Sequence, residues 1–166
     1  MTNLRLCLLG TPQVFRDGES VTEQLSQKAL GLLTYLALAP PSGYAREELA
    51  GEFWGETTDE HAGFNLRRCL WSLRKAINPP AGRSDTYICH SAGRYCFDSS
   101  SDHWIDAHVF EQSVTIICRR HITAAPYVVS GAGLLTVSDL ANLRTAVQFY
   151  RGELLEGYDL RECTGF

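Results

Sequence analysis

Apolar and polar positions first follow a strand period and then switch to a helical one. Leu4-Arg5-Leu6-Cys7-Leu8-Leu9 alternates as a strand and is broken by Gly10-Thr11-Pro12. Gln13-Val14-Phe15-Arg16 reads as a second strand, Asp17-Gly18 as a hairpin turn and Glu19-Ser20-Val21-Thr22 as a third strand. The chain is therefore expected to open with a small antiparallel sheet. Ser26 is placed to cap a helix in which Ala29, Leu30, Leu32, Leu33, Leu36 and Ala37 recur at helical spacing, and Pro40-Pro41 ends it. A second helix is predicted over Arg46–Trp54, burying Leu49, Phe53 and Trp54, with Gly55 at the position of a C-terminal cap glycine.

The third helix is the most informative. Thr57 or Thr58 caps it, and Asp59 and Glu60 in its first turn complement the helix dipole. Ala62, Leu66, Cys69, Leu70, Leu73 and Ile77 form a core-facing stripe. At about 100° per residue the opposite side carries Phe64, Arg68, Trp71 and Lys75, flanked by Arg67, Ser72 and Arg74. Asn78-Pro79-Pro80 stops the helix. Tyr87-Ile88-Cys89-His90 and Arg94-Tyr95-Cys96-Phe97-Asp98 then form a hairpin around Ser91-Ala92-Gly93. Beyond the polar stretch Ser99–Asp102, Ile105 to about Arg120 reads as helical. Pro126 and Gly131-Ala132-Gly133 interrupt it. Ser138 is expected to cap a helix over Asp139–Arg151 that buries Leu140, Leu143, Val147 and Phe149 or Tyr150. No terminator marks the end at Phe166, so the chain is expected to be part of a longer protein.

Apolar residues make up 45% of the 166, enough for a packed core and too many for disorder. No apolar run is long enough to span a membrane and no secretory signal is evident, which points to the cytoplasm. Six cysteines are spread through apolar segments and in a reducing compartment read as buried thiols. Cys89 and Cys96 flank a turn, which leaves a disulfide across the hairpin open. Cys89, His90, Cys96 and His103 lack a CxxC pair or tight ligand spacing, so no metal site is expected, and no cofactor either.

Charge sharpens the picture at one place. The formal net charge is −4, yet residues 61–84 hold five basic residues (Arg67, Arg68, Arg74, Lys75, Arg83) and no Asp or Glu. A positive helix face on an acidic small protein is what a polyanion such as DNA selects. Two helices with the second basic make a helix-turn-helix, and the following hairpin makes the winged variant. The major groove admits one helix, so the third helix, about residues 59–77, is the expected recognition helix and hairpin 87–98 the wing. Arg67, Arg68, Arg74 and Lys75 can neutralise phosphates or read guanine edges, and the hairpin tip with His90, Ser91 and Arg94 can touch the flanking backbone. With roughly four to six phosphate contacts, the logarithm of affinity should fall with that of salt at a slope of about −4 to −5.

Several segments resemble the AfsR/SARP-type bacterial transcriptional regulators. Leu6–Val14 is similar to the family's opening, and Lys28–Ala37 to its first helix. Arg46–Gly55, ending in Phe-Trp-Gly, resembles the second helix. Asn65-Leu66-Arg67-Arg68-Cys69-Leu70-Trp71-Ser72-Leu73-Arg74-Lys75-Ala76-Ile77 resembles the recognition helix, with Gly93-Arg94-Tyr95 at the wing. Trp104–Glu111 looks like the junction to the family's bacterial transcriptional activator domain. Ala146–Tyr158 looks like the end of an early repeat in it. The resemblance implies an α+β, OmpR/PhoB-like winged helix-turn-helix over residues 1–104. Its sheet is N-terminal and its hairpin C-terminal. A mainly α, TPR-like partial domain follows over residues 105–166. The implied function is sequence-specific binding of double-stranded DNA in transcription regulation. Asn65, Arg67, Arg68, Trp71, Ser72, Arg74, Lys75 and Arg94 are the candidate contacts. Tandem binding as a homodimer on direct repeats and contact with RNA polymerase are implied by the resemblance alone. Trp71 is bulky where many family members carry a small polar residue, and His121–Val137 departs from the expected helix pair.

A second reading is a winged-helix module that binds a protein instead of DNA, with Trp71 and Phe64 as apolar anchors and the basic residues pairing with an acidic partner. Enzymatic function is not expected: GxxxxGK[ST], GxSxG, HExxH and GxGxxG are all absent, and the five histidines form no pair.

Overall fold

The structure, a computed structural model, describes residues 3–78, 86–122 and 136–158, and of residues 116–122 the backbone alone. In chain order the elements are β1 (Leu4–Cys7), β2 (Gln13–Arg16), β3 (Glu19–Ser20), α1 (Gln27–Ala37), β4 (Tyr44–Ala45), α2 (Arg46–Trp54) and α3 (Asp59–Ile77). They are followed by β5 (Ile88–Ser91), β6 (Arg94–Phe97), β7 (His103–Ile105), α4 (Asp106–Ile122) and α5 (Val137–Phe149). The chain divides into two units. One is built mainly on Gln13–Trp104 together with the start of β1. The other joins Cys7–Pro12 to Ile105–Glu156.

In the first unit a four-stranded sheet has the order β3-β2-β1-β7, with β2 and β3 antiparallel. Alternation buries Leu4, Leu6 and Val14, while the exposed Arg5 sets its guanidinium 4.6 Å from the Trp104 ring centroid. The third strand is shorter than the pattern predicts. Thr22 starts a 3₁₀ turn, Thr22–Gln24, and its hydroxyl accepts the Val14 N–H at 2.8 Å, taking over a strand bond. The β7 strand is a correction as well: Ile105 reads as the start of a helix, but His103–Ile105 joins the sheet and the helix begins at Asp106.

Helix α1 begins where expected, with the Ser26 hydroxyl accepting the Ala29 N–H at 3.2 Å. Leu30, Leu32, Leu33 and Leu36 are buried in the core, where Leu49 and Phe53 of α2 and Leu66, Leu70, Leu73 and Ile77 of α3 are also buried. At about 25 cal/mol per Å² of apolar surface, this cluster supplies the main drive for folding the unit. Of the α3 stripe, Cys69 is only half-buried, and Ala76 completes the buried face instead. Gly55 does follow α2, but with φ −60°, so it is not a left-handed cap. Its small size is what matters, since a Cβ there would meet the Gly51 carbonyl oxygen at 2.6 Å. At the far end of α3, Arg16 donates to the carbonyls of Ala76 (2.7 Å) and Asn78 (3.1 Å), a cation at the negative end of the helix dipole.

The hairpin pairs β5 with β6 through a two-residue turn in which Ala92 and Gly93 both have positive φ (50° and 77°). β4, too short to be read from the sequence, pairs Tyr44 with Tyr95 and Ala45 with Arg94, extending the hairpin to a three-stranded sheet of order β4-β6-β5. Cys89 and Cys96 lie opposite each other and form a disulfide with Cα atoms 5.4 Å apart, the pairing left open by the sequence, so these two are not the buried thiols expected. Directly opposed strand residues fall within the Cα separation a disulfide requires.

In the second unit the buried Asp106 accepts the N–H groups of Leu8 (2.7 Å), Leu9 (3.1 Å) and Ala107 (2.8 Å), and Arg151 approaches it to 3.8 Å. The carboxylate thus satisfies the N–H groups of Leu8 and Leu9, while Leu9 forms an isolated antiparallel bridge with Leu154 and the Leu8 carbonyl accepts the Leu155 N–H at 2.9 Å. Gly10, at φ +90°, passes so close to Arg151 that a Cβ would lie 2.9 Å from the arginine's own. The cap of α5 is Thr136, not Ser138. Its hydroxyl accepts the Asp139 N–H, and Asp139 accepts the Thr136 N–H and hydroxyl in return. Asp139, held in that box, and Ala146, seven residues on, are buried, whereas Leu140 and Val147 are exposed, contrary to the expected core face. Pro126 and Gly131–Gly133 lie outside the described residues. No helix among the described residues is long and apolar enough to cross a membrane.

Candidate nucleic-acid interface

The turn Gly55–Thr58 joins α2 to α3, and Thr57 closes it by donating its N–H (3.0 Å) and hydroxyl (2.9 Å) to the Trp54 carbonyl. Because Leu66, Leu70 and Leu73 are anchored in the core, the opposite side of α3 faces outward. Arg67, Arg68 and Lys75 are exposed there, and so are Phe64 (55%) and Trp71 (66%). The Lys75 ammonium lies 5.3 Å from the Trp71 ring centroid, within cation–π range.

Along one edge of α3, Asn65, Arg68 and Ser72 line an open cleft of about 570 Å³ with Ser26, Gln27 and Lys28 from the start of α1. Lys28 donates to the Phe53 carbonyl at 3.1 Å and lies 5.6 Å from the Trp54 ring. The sequence marks the start of α1 only as a capped helix and not as part of this face. A helix-capping Ser followed by Gln and Lys is a common surface pattern, and only the packing of α1 beside α3 brings it to this face.

Two of the predicted contacts hold the wing in place. Arg74 donates to the Ile88 carbonyl at 3.1 Å and lies 5.9 Å from the Tyr95 ring, tying α3 to β5 and β6. Arg94 donates to the carbonyls of Ser42 (3.0 Å) and Gly43 (2.8 Å) and pairs with Glu48 at 3.3 Å, while Glu48 also accepts the Ala45 N–H. It therefore grips the loop before β4 and the start of α2, and does not extend from the hairpin tip. Gly43, at φ +60°, allows that approach, since a Cβ there would run into the Tyr95 carbonyl. The tip residues Ser91, Ala92 and Gly93 are exposed, and beside them the His90 and Tyr95 rings lie 4.4 Å apart, tilted by 33°. Arg83, the remaining cation of the basic run, lies outside the described residues. No cluster of three potential metal ligands occurs among the described residues.

Among solved structures the chain is similar to EmbR of Mycobacterium tuberculosis, determined in complex with a low-affinity phosphopeptide. The TM-score is 0.69 at 18% sequence identity. The match covers 98% of this chain and 39% of that one, so the present chain spans well under half the length of EmbR. The likeness shows a mixed α+β fold shared with EmbR's winged helix. No protein-family model matches the sequence, and no curated protein matches it significantly.

Proposed function

We propose that this chain is a sequence-specific, double-stranded-DNA-binding transcription regulator of the AfsR/SARP type, without enzymatic activity. The observation that carries the reading is the outward face of α3. Arg67, Arg68 and Lys75 stand exposed on it with no acidic residue between His61 and Ile77, on a helix followed by a braced hairpin. In this reading α3 enters the major groove. Arg67 and Lys75 meet phosphates, Arg68 reads a base edge or a phosphate, and Asn65, Ser72 and Trp71 lie against base edges. Arg74 and Arg94 act by positioning the wing, whose tip meets the flanking backbone. Residues 1–104 form the DNA-binding domain, and residues 105–166 begin a helical, TPR-like activator domain in the cytoplasm. RNA polymerase and a second copy on a direct repeat are the further partners that the family resemblance supports.

The exposure of Phe64 and Trp71 favours a second reading, a protein-binding winged helix. Selection of duplexes from a random library followed by anisotropy titrations separates the two. An enriched site bound by the wild type, and bound about tenfold or more weakly by Arg68→Ala, supports the regulator. Failure to enrich any duplex supports the protein-binding module.

A further inference from the structure

We propose that the Phe64/Trp71 edge of α3 recognises the 5-methyl groups of thymines in the major groove, so that the chain selects sites with thymine beneath that edge. The inference rests on the DNA-binding reading and adds to it the class of base that is read.

Phe64 and Trp71 stand apart from the other large apolar residues of α3. Leu66, Leu70, Leu73 and Ile77 are at most 2% exposed, whereas Phe64 and Trp71 are 55% and 66% exposed. Seven residues apart, the two rings project within about 20° of each other and are about 10 Å apart along the helix. They make one apolar edge. Asn65 and Ser72, also seven apart, make a parallel polar edge roughly 100° away, with Arg68 and Lys75 between the two. An occupant of this face must therefore be anionic and must also offer apolar groups along one side.

Duplex DNA meets both conditions in its major groove. The phosphates supply the charge, and thymine alone among the four bases presents a methyl group there. The ring spacing spans about two to three base pairs at 3.4 Å per step. The polar edge, with Asn65 and Arg68, is left for the hydrogen-bonding edges of the neighbouring bases.

The test starts from a site selected out of a random duplex library with the 166-residue chain. Each thymine in it is then replaced by uracil, which removes the methyl and keeps every hydrogen-bonding group. Wild type is expected to bind about three- to fivefold more weakly at one or two such positions, the factor for one buried methyl group. At each such position the same replacement should change affinity by less than about 1.5-fold in Trp71→Ala or in Phe64→Ala, whichever variant lacks the ring over that thymine. Both side chains are exposed, and unchanged thermal melting of the variants confirms that they fold. Tight, site-specific binding by wild type that is indifferent to uracil at every position overturns the inference and leaves the DNA-binding reading standing. Uracil sensitivity that persists at the same position in both variants overturns it too, since other residues would then be reading that methyl. Absence of any duplex binding overturns both readings and assigns the aromatic edge to a protein partner.

Discussion

Arg74 and Lys75 are neighbours in a basic run, yet the structure gives them opposite roles, and replacing each by alanine separates them. Arg74 is half-buried and donates at 3.1 Å to the carbonyl of Ile88, a residue only 1% exposed. Removing a charged donor from a sheltered carbonyl costs about 1.5–3 kcal/mol. The Tyr95 ring at 5.9 Å adds little, being near the limit of cation–π range. Partial exposure of the guanidinium brings the expected loss for Arg74→Ala to about 1–2 kcal/mol, or a fall in Tm of roughly 5–10 °C for a unit of this size. Lys75 is exposed, so Lys75→Ala should leave stability within about 0.5 kcal/mol. It should instead lower the salt slope of DNA binding by about 0.9, one phosphate's worth. Differential scanning fluorimetry and anisotropy titrations at three salt concentrations measure both quantities. If Arg74→Ala melts with the wild type and lowers the salt slope as Lys75→Ala does, its assignment as the brace between recognition helix and wing is wrong.

Three further outcomes follow from the contacts. Asp106→Ala leaves the buried N–H groups of Leu8 and Leu9 without their acceptor, and is expected to cost about 3–5 kcal/mol. Hydrogen exchange should show protection lost at those two amides, and protection retained would refute the role given to the carboxylate. Cys89→Ser/Cys96→Ser opens a cross-link between residues seven apart, and urea denaturation should register a loss of about 2 kcal/mol that a reductant reproduces in the wild type. Burial, helped by a hydrogen bond with Tyr44, pushes the Tyr35 phenol up from 10.0 to about 12. The folded state thus holds this proton more tightly than the unfolded state does, so the contribution is intact below pH 10 and is lost as pH rises through about 12. Stability of wild type should fall more steeply over that window than that of Tyr35→Phe, and equal slopes would contradict the assignment.

The helices of the first unit were legible because each is amphipathic with a clear stop. Ser26 caps α1 as read, and the outward placement of Arg68, Trp71 and Lys75 follows from helical geometry alone once the leucine stripe is recognised. The short strands were not legible. β4 is two residues long and exists because β6 offers it a partner, and β7 is held by the neighbouring β1 rather than by its own pattern. Side-chain bonding was equally hidden. Nothing in a run of basic residues tells that Arg74 and Arg94 meet backbone carbonyls while Arg67 and Arg68 remain exposed. In α5 the apolar positions misled because the buried face carries Asp139, whose carboxylate is satisfied by Thr136, and Ala146 in place of Leu140 and Val147. The hydrophobic pattern likewise hides that the Leu8 and Leu9 N–H groups go to the Asp106 carboxylate.

The central claim is that the exposed cations of α3 neutralise DNA phosphates, and the salt dependence of binding tests it most directly. On a selected duplex the logarithm of affinity should fall linearly with that of salt for the wild type. The triple variant Arg67→Ala/Arg68→Ala/Lys75→Ala should flatten that slope by at least about 1.8, or 0.9 for each of the phosphates met by Arg67 and Lys75. A titration that is flat with salt, or a slope that the triple variant leaves unchanged, would contradict the account.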